Sequence, residues 1–189
     1  MSQQSRALNS ASIEALVEQI PTLEPRLGDS VLVAVDGRSC SGKTTVAQTL
    51  AESLDATVVH LEYLYHGWDG LEAGVETAVT HVLEPLSLGK AATVPQWDWY
   101  AGGWGRPVEI AVPRLLILEG VGAASAAVRA HTSLAIWLEV PDDERRRRAQ
   151  ARDWDTFADH WDVWAVQETT LFAREGLPDL ADLVLVGAG

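Results

Sequence analysis

Five short apolar runs along the chain are typical of strands buried on both faces of a parallel sheet. They are 31–36 (VLVAVD), 57–61 (TVVHL), 115–118 (LLIL), 134–140 (LAIWLEV) and 183–186 (LVLV). Segments with helical apolar spacing predict helices over about 11–20, from the Gly-rich turn after residue 36 to about Ser53, and over 71–84, 142–153 and 160–174. Because strands alternate with helices, we predict an α/β fold with a parallel sheet and helices on both of its faces.

Single residues suggest where some of these elements begin and end. Ser12 is a suitable N-cap for the first helix and Pro21 a suitable stop, and Pro85 is expected to end the helix over 71–84. Residues 85–113 contain four prolines, several glycines and three tryptophans. This segment is therefore predicted to be mostly irregular, with a short strand near Thr93–Trp97.

Length and composition favour a single domain over residues 1–189. The chain is 47% apolar and 22% charged, which argues against a disordered or fibrous protein. No apolar run approaches the ~20 residues of a membrane helix, and residues 1–10 lack the order of a signal peptide. We expect a cytoplasmic protein with no membrane partner, and its one cysteine excludes an intramolecular disulfide and a cysteine-rich zinc site.

The charge is strongly negative and the few cations are unevenly placed. A formal net charge of −13 argues against general binding to nucleic acid, which is itself an anion. The only lysines are Lys43 and Lys90, and five of the twelve arginines lie within 145–152. Such a concentration of cations predicts a small anionic ligand. The sequence does not indicate an oligomeric state.

Residues 36–45 (DGRSCSGKTT) match the phosphate-loop pattern G-x-x-x-x-G-K-[ST] between a predicted strand and a predicted helix. The two glycines let successive N–H groups point inward, and the helix N-terminus favours an anion. Lys43 is expected to act on the β- and γ-phosphates and Thr44 to ligate Mg²⁺, so ATP and Mg²⁺ are the expected cofactors. Cys40 is interpreted as a small filler, with a redox switch as the alternative. The predicted nucleotide-binding residues are Gly37, Arg38, Ser39, Cys40, Ser41, Gly42, Lys43, Thr44 and Thr45.

Phosphoryl transfer also needs an acid that anchors the metal and a base that accepts the proton of the acceptor. Glu119 directly follows LLIL and Glu62 follows TVVHL, and the carboxyl ends of such strands face the ligand crevice of an open α/β sheet. Glu119 is predicted to hold the metal and Glu62 to act as the base, with Asp69 as an alternative base. A solvated surface carboxylate is the competing interpretation of either glutamate.

The arginine run is expected to supply cations that stabilise the negative charge on the phosphoryl group during transfer. On a helix Arg145, Arg148 and Arg152 share one face. Arg148 and Arg152 are predicted as catalytic residues that close over the phosphates, in a small helical lid at about 145–165. The competing interpretation is a solvated face whose arginines pair with nearby acids at 142–144.

An acceptor pocket is predicted around residues 94–105 (VPQWDWYAGGWG). Aromatic faces beside a carboxylate suit a ring-bearing, hydroxylated molecule. Trp97 and Asp98 are therefore predicted to contact a small-molecule acceptor, with core packing as the alternative for the tryptophans, and Tyr65 of EYLY is predicted as a further acceptor contact. The five histidines show no metal-ligand spacing.

Several motifs, taken in order, resemble the uridine kinase-like group of small P-loop kinases over about residues 31–186. They are GRSCSGKTT, EYLY at 62–65, VPQWDW, ILEG and DERRRRAQARD. The resemblance implies a P-loop NTPase fold of three α/β/α layers, with a five-stranded parallel sheet and a small lid. It also implies roles for Glu62 as base, Asp98 at sugar hydroxyls, Glu119 at the metal, and Arg148 and Arg152 in the lid.

The chain departs from that group at three places, which indicates a separate branch of it. Glu62 stands where the group usually has aspartate, AGGWGR replaces a His-Ser-Arg-type segment, and WDTFADHW replaces a Gly-bearing loop. The leading hypothesis is an ATP-dependent kinase that phosphorylates a hydroxyl of a small molecule, such as a nucleoside. The alternatives are a nucleoside monophosphate kinase, using Arg106, Arg114 or Arg129, and a nucleotide-binding regulatory NTPase with no small-molecule acceptor.

Overall fold

A computed structural model describes residues 4–152 and 157–187 of the chain. Its strands, in chain order, are β1 (Gln4–Ala7), β2 (Val31–Gly37), β3 (Thr57–His60), β4 (Ala92–Val94), β5 (Trp97–Asp98), β6 (Gly103–Trp104), β7 (Val108–Ile110), β8 (Leu115–Glu119), β9 (Leu134–Glu139) and β10 (Leu183–Val186). The central sheet has the order β1-β10-β9-β2-β8-β3, and all of its strand pairs are parallel.

Helices connect these strands. They are α1 (Ser10–Gln19), α2 (Lys43–Leu54), α3 (Leu71–Ala78), α4 (Glu84–Ser87), α5 (Ala126–Arg129), α6 (Asp142–Arg152) and α7 (Trp161–Glu175), with 3-10 turns at Ile20–Thr22 and Leu61–Tyr63 and a π-helical turn at Val79–Leu83. In the ranges the structure describes, no helix is long and apolar enough to cross a membrane.

Two apolar cores, one on each face of the sheet, make three layers. Alternate residues of β2 point to opposite faces. Val33 and Val35 join the core that contains residues of α1 and α2, whereas Leu32 and Ala34 join the core that contains residues of α3 and α7. This arrangement confirms the predicted three-layer α/β fold.

The sheet has a sixth strand that the hydrophobic pattern did not predict. Residues of β1 pair with β10 at the edge of the sheet, and all four of them are exposed. An exposed edge strand needs no apolar alternation, so its polar sequence carried no strand signal. The other five strands of the sheet are the predicted ones.

Two predicted helix boundaries were wrong. The N-cap of α1 is Asn9, whose side chain accepts the N–H of Ser12 at 2.9 Å while the Ser12 hydroxyl accepts the N–H of Asn9 at 3.0 Å. Ser12 is therefore the N3 partner of a capping box. Pro85 does not end a helix, because it lies in the first turn of α4, which directly continues the π-helical turn at Val79–Leu83.

The Trp-rich segment forms two small antiparallel pairs beside the main sheet. Strand β4 pairs with β7, and β5 pairs with β6. The short strand predicted near residues 93–97 corresponds to parts of β4 and β5. Residues 153–156, which belong to the predicted lid, lie outside the described residues, and α6 and α7 lie on either side of them.

Candidate active site

The phosphate loop connects β2 to α2 in the predicted strand–loop–helix context. Gly37 has φ +142°, and a methyl group on it would meet the Leu138 carbonyl oxygen at 2.5 Å, so only glycine fits there. Gly42, which precedes α2, has φ +96°, and Cys40 adopts φ +63°. Since the first turn of a helix leaves its N–H groups without intrahelical partners, the loop and α2 present backbone donors to an anion.

The polar side chains of this loop are held by local partners. Lys43 is buried, and its Nζ donates to the Arg38 carbonyl oxygen at 2.9 Å. Thr44 Oγ1 donates to Glu119 Oε1 at 3.3 Å. The buried Ser41 hydroxyl has no hydrogen-bond partner in the described part of the chain, and Thr45 is an exposed residue of α2.

Sheet topology brings the two predicted carboxylates to this loop. Because β8 lies between β2 and β3, its last residue, Glu119, is in register with Val35 on one side and His60 on the other. Glu62 follows β3 in a 3-10 turn. Both glutamates therefore lie at the carboxyl ends of the strands, where the phosphate loop also lies.

Burial and neighbouring charges perturb the groups at this edge. His60 Nδ1 lies 2.5 Å from Glu119 Oε1, and this hydrogen bond raises the pKa of the histidine. Partial burial raises the pKa of Glu62, and the negative charge of Glu119 adds to that effect. A carboxylate with a raised pKa is a better proton acceptor near neutral pH.

Asp36 is a buried carboxylate that the sequence analysis did not select. It is fully buried and accepts backbone N–H groups of Gly37 at 2.7 Å, Gly122 at 3.0 Å and Ala124 at 2.8 Å. Burial raises its pKa to about 6 against the effect of these bonds. Asp36 thus ties the start of the phosphate loop to the loop that follows β8.

A cavity of about 440 Å³ lies between the phosphate loop and a set of aromatic side chains. The polar side of the cavity includes Lys43, Thr44, Glu62, Glu119 and Arg152. The aromatic part of the lining, which we name the aromatic wall, consists of Tyr63, Tyr65, Trp68, Trp99, Tyr100, Phe157 and Trp164. One cavity therefore joins a phosphate-binding end to a surface suited to a flat ring.

Contacts among these rings connect the wall to Glu62. The Trp68 ring stacks on His160 at 4.5 Å between centroids and contacts Trp99 at 4.8 Å. Trp99 Nε1 donates to the Glu62 carbonyl oxygen at 3.0 Å. The wall therefore fixes the backbone of the residue predicted as the base.

Two of the predicted acceptor contacts do not line this cavity. Trp97 packs against His66 and Trp104. Asp98 Oδ1 accepts the N–H groups of Tyr100 and Ala101, both at 2.9 Å, and so shapes the turn between β5 and β6. Tyr65 lines the cavity, but its hydroxyl donates to the Val121 carbonyl oxygen at 2.9 Å. Substrate contact by these residues stays a prediction.

The arginine run divides between structural and cavity positions. Arg152 lines the cavity, and its charge opposes the effect of burial on the pKa of Cys40 and Glu62. Arg148 donates to Glu144 Oε1 at 2.6 Å, and a methyl group on Gly42 would lie 4.0 Å from its Nη1. Arg145 is buried and donates to the Ser39 carbonyl oxygen at 3.1 Å.

The donors at this site fit a magnesium ion that arrives with a nucleotide. Thr44 and Glu119 offer hard oxygen ligands beside the helix N-terminus, as Mg²⁺ prefers. Within the described ranges, no group of three or more His, Cys, Asp and Glu residues could hold a metal ion.

Comparisons with known proteins identify chains that are similar to this one. A curated uridine kinase from Mycoplasma pneumoniae is 28% identical over 145 residues, which cover 66% of this chain and 68% of the relative. A solved structure described as a "possible uridine kinase" from Bacillus stearothermophilus has a TM-score of 0.67 and 20% identity, with 93% of this chain and 97% of that chain covered. A candidate fructose transport system kinase from Silicibacter sp. TM1040 has a TM-score of 0.59 and 21% identity, with 92% and 97% covered. No protein-family model matches the chain.

These similarities confirm the resemblance and the fold predicted from the sequence. The chain is similar to uridine kinase-like P-loop kinases and has their α/β fold, and the similarity supports the prediction of a P-loop small-molecule kinase. They do not extend to individual site residues, so the roles of those residues are proposals.

Proposed function

We propose that this P-loop kinase transfers the γ-phosphoryl group of Mg-ATP to a hydroxyl group of a small, ring-bearing molecule. The main support for this proposal is that the phosphate loop, Glu62 and the aromatic wall line the same cavity. A nucleoside has the flat ring and the free hydroxyls that such a cavity accommodates. The curated relative is named a uridine kinase, so nucleosides are the first acceptors to test.

Some residues around the cavity would bind Mg-ATP, and another would act on the acceptor hydroxyl. Lys43 can exchange the Arg38 carbonyl for phosphate oxygens, and Thr44 with Glu119 would hold Mg²⁺ directly or through water. When bound, Mg-ATP supplies the γ-phosphoryl group, whose bond to ADP breaks as the acceptor oxygen bonds to phosphorus. Glu62 accepts the proton of that hydroxyl. Arg152 offsets the developing negative charge, and Arg148, beside Gly42, can assist it.

The cations at the cavity favour an acceptor without phosphate. Lys43 and Arg152 are the cationic side chains among the described residues that line it, and both are needed for the nucleotide. Arg106, Arg114 and Arg129, which a nucleoside monophosphate kinase could have used, do not line it. Arg129 instead donates to the carbonyl oxygens of Ala124 and Glu175.

Substituting Glu62→Gln tests this function. It should reduce phosphoryl transfer by about 10²-fold or more, the size of a general-base contribution, while the Kd for ADP stays within twofold of wild type. Transfer is measured as ADP release that depends on an acceptor from a panel of nucleosides, sugars and vitamins. Calorimetry gives the affinity for ADP.

The matched control is Asp69→Asn, which removes a nearby exposed carboxylate that does not line the cavity and should leave transfer unchanged. If transfer survives in Glu62→Gln and is lost in Asp69→Asn, the base is Asp69. If no acceptor raises ADP release above background hydrolysis by the wild-type protein, the proposed kinase activity is wrong, and a regulatory NTPase becomes the better interpretation.

A further inference from the structure

Both backbone polar groups of Ser39, in the first half of the phosphate loop, are bound by side chains from two different helices. The Ser39 N–H donates to Glu168 Oε1 of α7 at 2.7 Å. The Ser39 carbonyl oxygen accepts from Arg145 Nη1 of α6 at 3.1 Å. The loop is therefore fixed at this residue from outside, independently of any phosphate.

Glu168 is unusual because it is a nearly inaccessible carboxylate, with a relative exposure of 1%. Burying a charge is unfavourable unless the charge is paired and hydrogen-bonded. Glu168 has both kinds of partner, since Arg38 Nη1 lies 3.5 Å from its second oxygen. Arg38 is held in turn by Thr169 Oγ1 at 3.2 Å and lies over the Phe172 ring.

These contacts constrain the residues that must face the phosphates. The Arg38 carbonyl oxygen accepts from both Lys43 Nζ and the Ser41 N–H, so the position of Arg38 also sets that of the lysine. Directly after Ser39, Cys40 adopts a left-handed backbone conformation, which is unfavourable for a residue other than glycine. Fixing Ser39 and Arg38 thus holds the inward-facing conformation before a nucleotide binds.

We infer that Glu168 is a positioning residue that preorganises the phosphate loop for nucleotide binding. Preorganisation strengthens binding because the free loop is already ordered, so binding the nucleotide costs less conformational entropy. This role rests on the proposed function only in that the loop must bind a nucleotide. It assigns to Glu168 an influence on the nucleotide and none on the acceptor.

The experiment compares three substitutions of Glu168 by calorimetry with ADP. Glu168→Ala removes both contacts and should raise the Kd for ADP about tenfold, the effect of about 1.4 kcal/mol. Glu168→Gln keeps an acceptor oxygen within reach of the Ser39 N–H and should stay within about threefold of wild type. Glu168→Asp keeps the charge but is one methylene too short, and should resemble the alanine variant. In ATP turnover, the KM for ATP should rise while the KM for the acceptor stays within twofold.

Glu175→Ala is the matched control on the same helix. Its carboxylate also accepts a backbone N–H, that of Ala126 at 2.6 Å, but far along α7 from the phosphate loop. This variant should bind ADP as the wild type does. If it weakens binding as much as Glu168→Ala, the effect is a general loosening of α7 and the inference is overturned.

The remaining outcomes separate this inference from the proposed function. Wild-type affinity in Glu168→Ala and Glu168→Asp would overturn the positioning role and leave the kinase proposal standing. Absence of ADP binding by the wild-type protein would overturn both. Should Glu168→Ala fail to fold, the contrast between the Gln and Asp variants decides, and equal Kd values for those two would overturn the inference.

Discussion

The buried carboxylate of Asp36 makes the stability of the protein depend on pH in a direction that the structure predicts. Burial raises its pKa from 3.8 to about 6. Between these values the unfolded chain releases the proton while the folded chain keeps it, so the free energy of unfolding falls as the pH rises. The stabilisation by protonated Asp36 is fully present below the unfolded pKa and is lost once the pH has passed the folded pKa.

The size of this effect follows from the two pKa values. A shift of about two units corresponds to about 3 kcal/mol over the whole range. About 2 kcal/mol of it should be lost between about pH 4.5 and about pH 7.5, since part of the titration lies below that window. Asp36→Asn lacks the titration. The substitution also replaces Oδ2, which accepts the Ala124 N–H, with an NH2 group that cannot accept it. This loss costs about 1–3 kcal/mol at every pH.

Urea unfolding followed by tryptophan fluorescence measures the difference at a series of pH values. The wild-type protein should be more stable than Asp36→Asn by a margin that shrinks by about 2 kcal/mol as the pH rises across this window. Groups such as His60 and Glu62 titrate in both proteins and largely cancel. A margin that stays constant, or that grows with pH, would refute the conclusion that burial outweighs the three N–H bonds.

Two further predictions concern the loop and the aromatic wall. Gly37→Ala should lower the free energy of unfolding by about 2–4 kcal/mol and abolish ADP binding, because its methyl group meets the Leu138 carbonyl oxygen at 2.5 Å. Gly89→Ala, which has φ +69° but open space around it, should cost only about 1 kcal/mol, and an equal cost at both positions in urea unfolding would contradict the steric argument. Trp99→Phe keeps an aromatic, though smaller, side chain and loses the indole N–H that binds the Glu62 carbonyl, so kcat should fall about three- to tenfold while the Kd for ADP is unchanged. If kcat does not change in steady-state assays, Trp99 does not position the base.

The strand core and the phosphate loop could be predicted because their signals are local. Continuous apolar runs identify strands that are buried on both faces, and the loop motif fixes its own strand–loop–helix context. Once those strands are placed, Glu62 and Glu119 follow, because the carboxyl ends of neighbouring parallel strands meet at one edge. The edge strand β1 has no such signal, since every one of its residues is exposed.

The residues that the sequence did not reveal act through contacts distant along the chain. Glu168 lies 129 positions after Ser39, and its place in α7 resembles that of any polar helical residue. Arg145 shares a helix face with Arg148 and Arg152, but the spacing alone does not show that it binds the phosphate loop. Asp36 had a weak signal, because it is a charged residue that ends an apolar run directly before Gly37.

The acceptor side was the harder part to predict for the same reason. The segment VPQWDW predicted acceptor contacts at Trp97 and Asp98. In the structure the two residues after Asp98, Trp99 and Tyr100, line the cavity instead. Which residues of a short hairpin face a cavity depends on its register and its turn, and here Asp98 itself forms that turn. Trp68 and Trp164 join the wall through packing that no local pattern indicates.

The most direct test of the central claim follows the γ-phosphate itself. The wild-type protein is incubated with ATP labelled in that phosphate and with a panel of nucleosides, and the products are separated. Kinase activity predicts that the label is recovered as a phosphate ester of one acceptor, and that this product is lost in Glu62→Gln although ADP still binds. Recovery of the label only as inorganic phosphate, whichever hydroxylated acceptor is present, would contradict the claim.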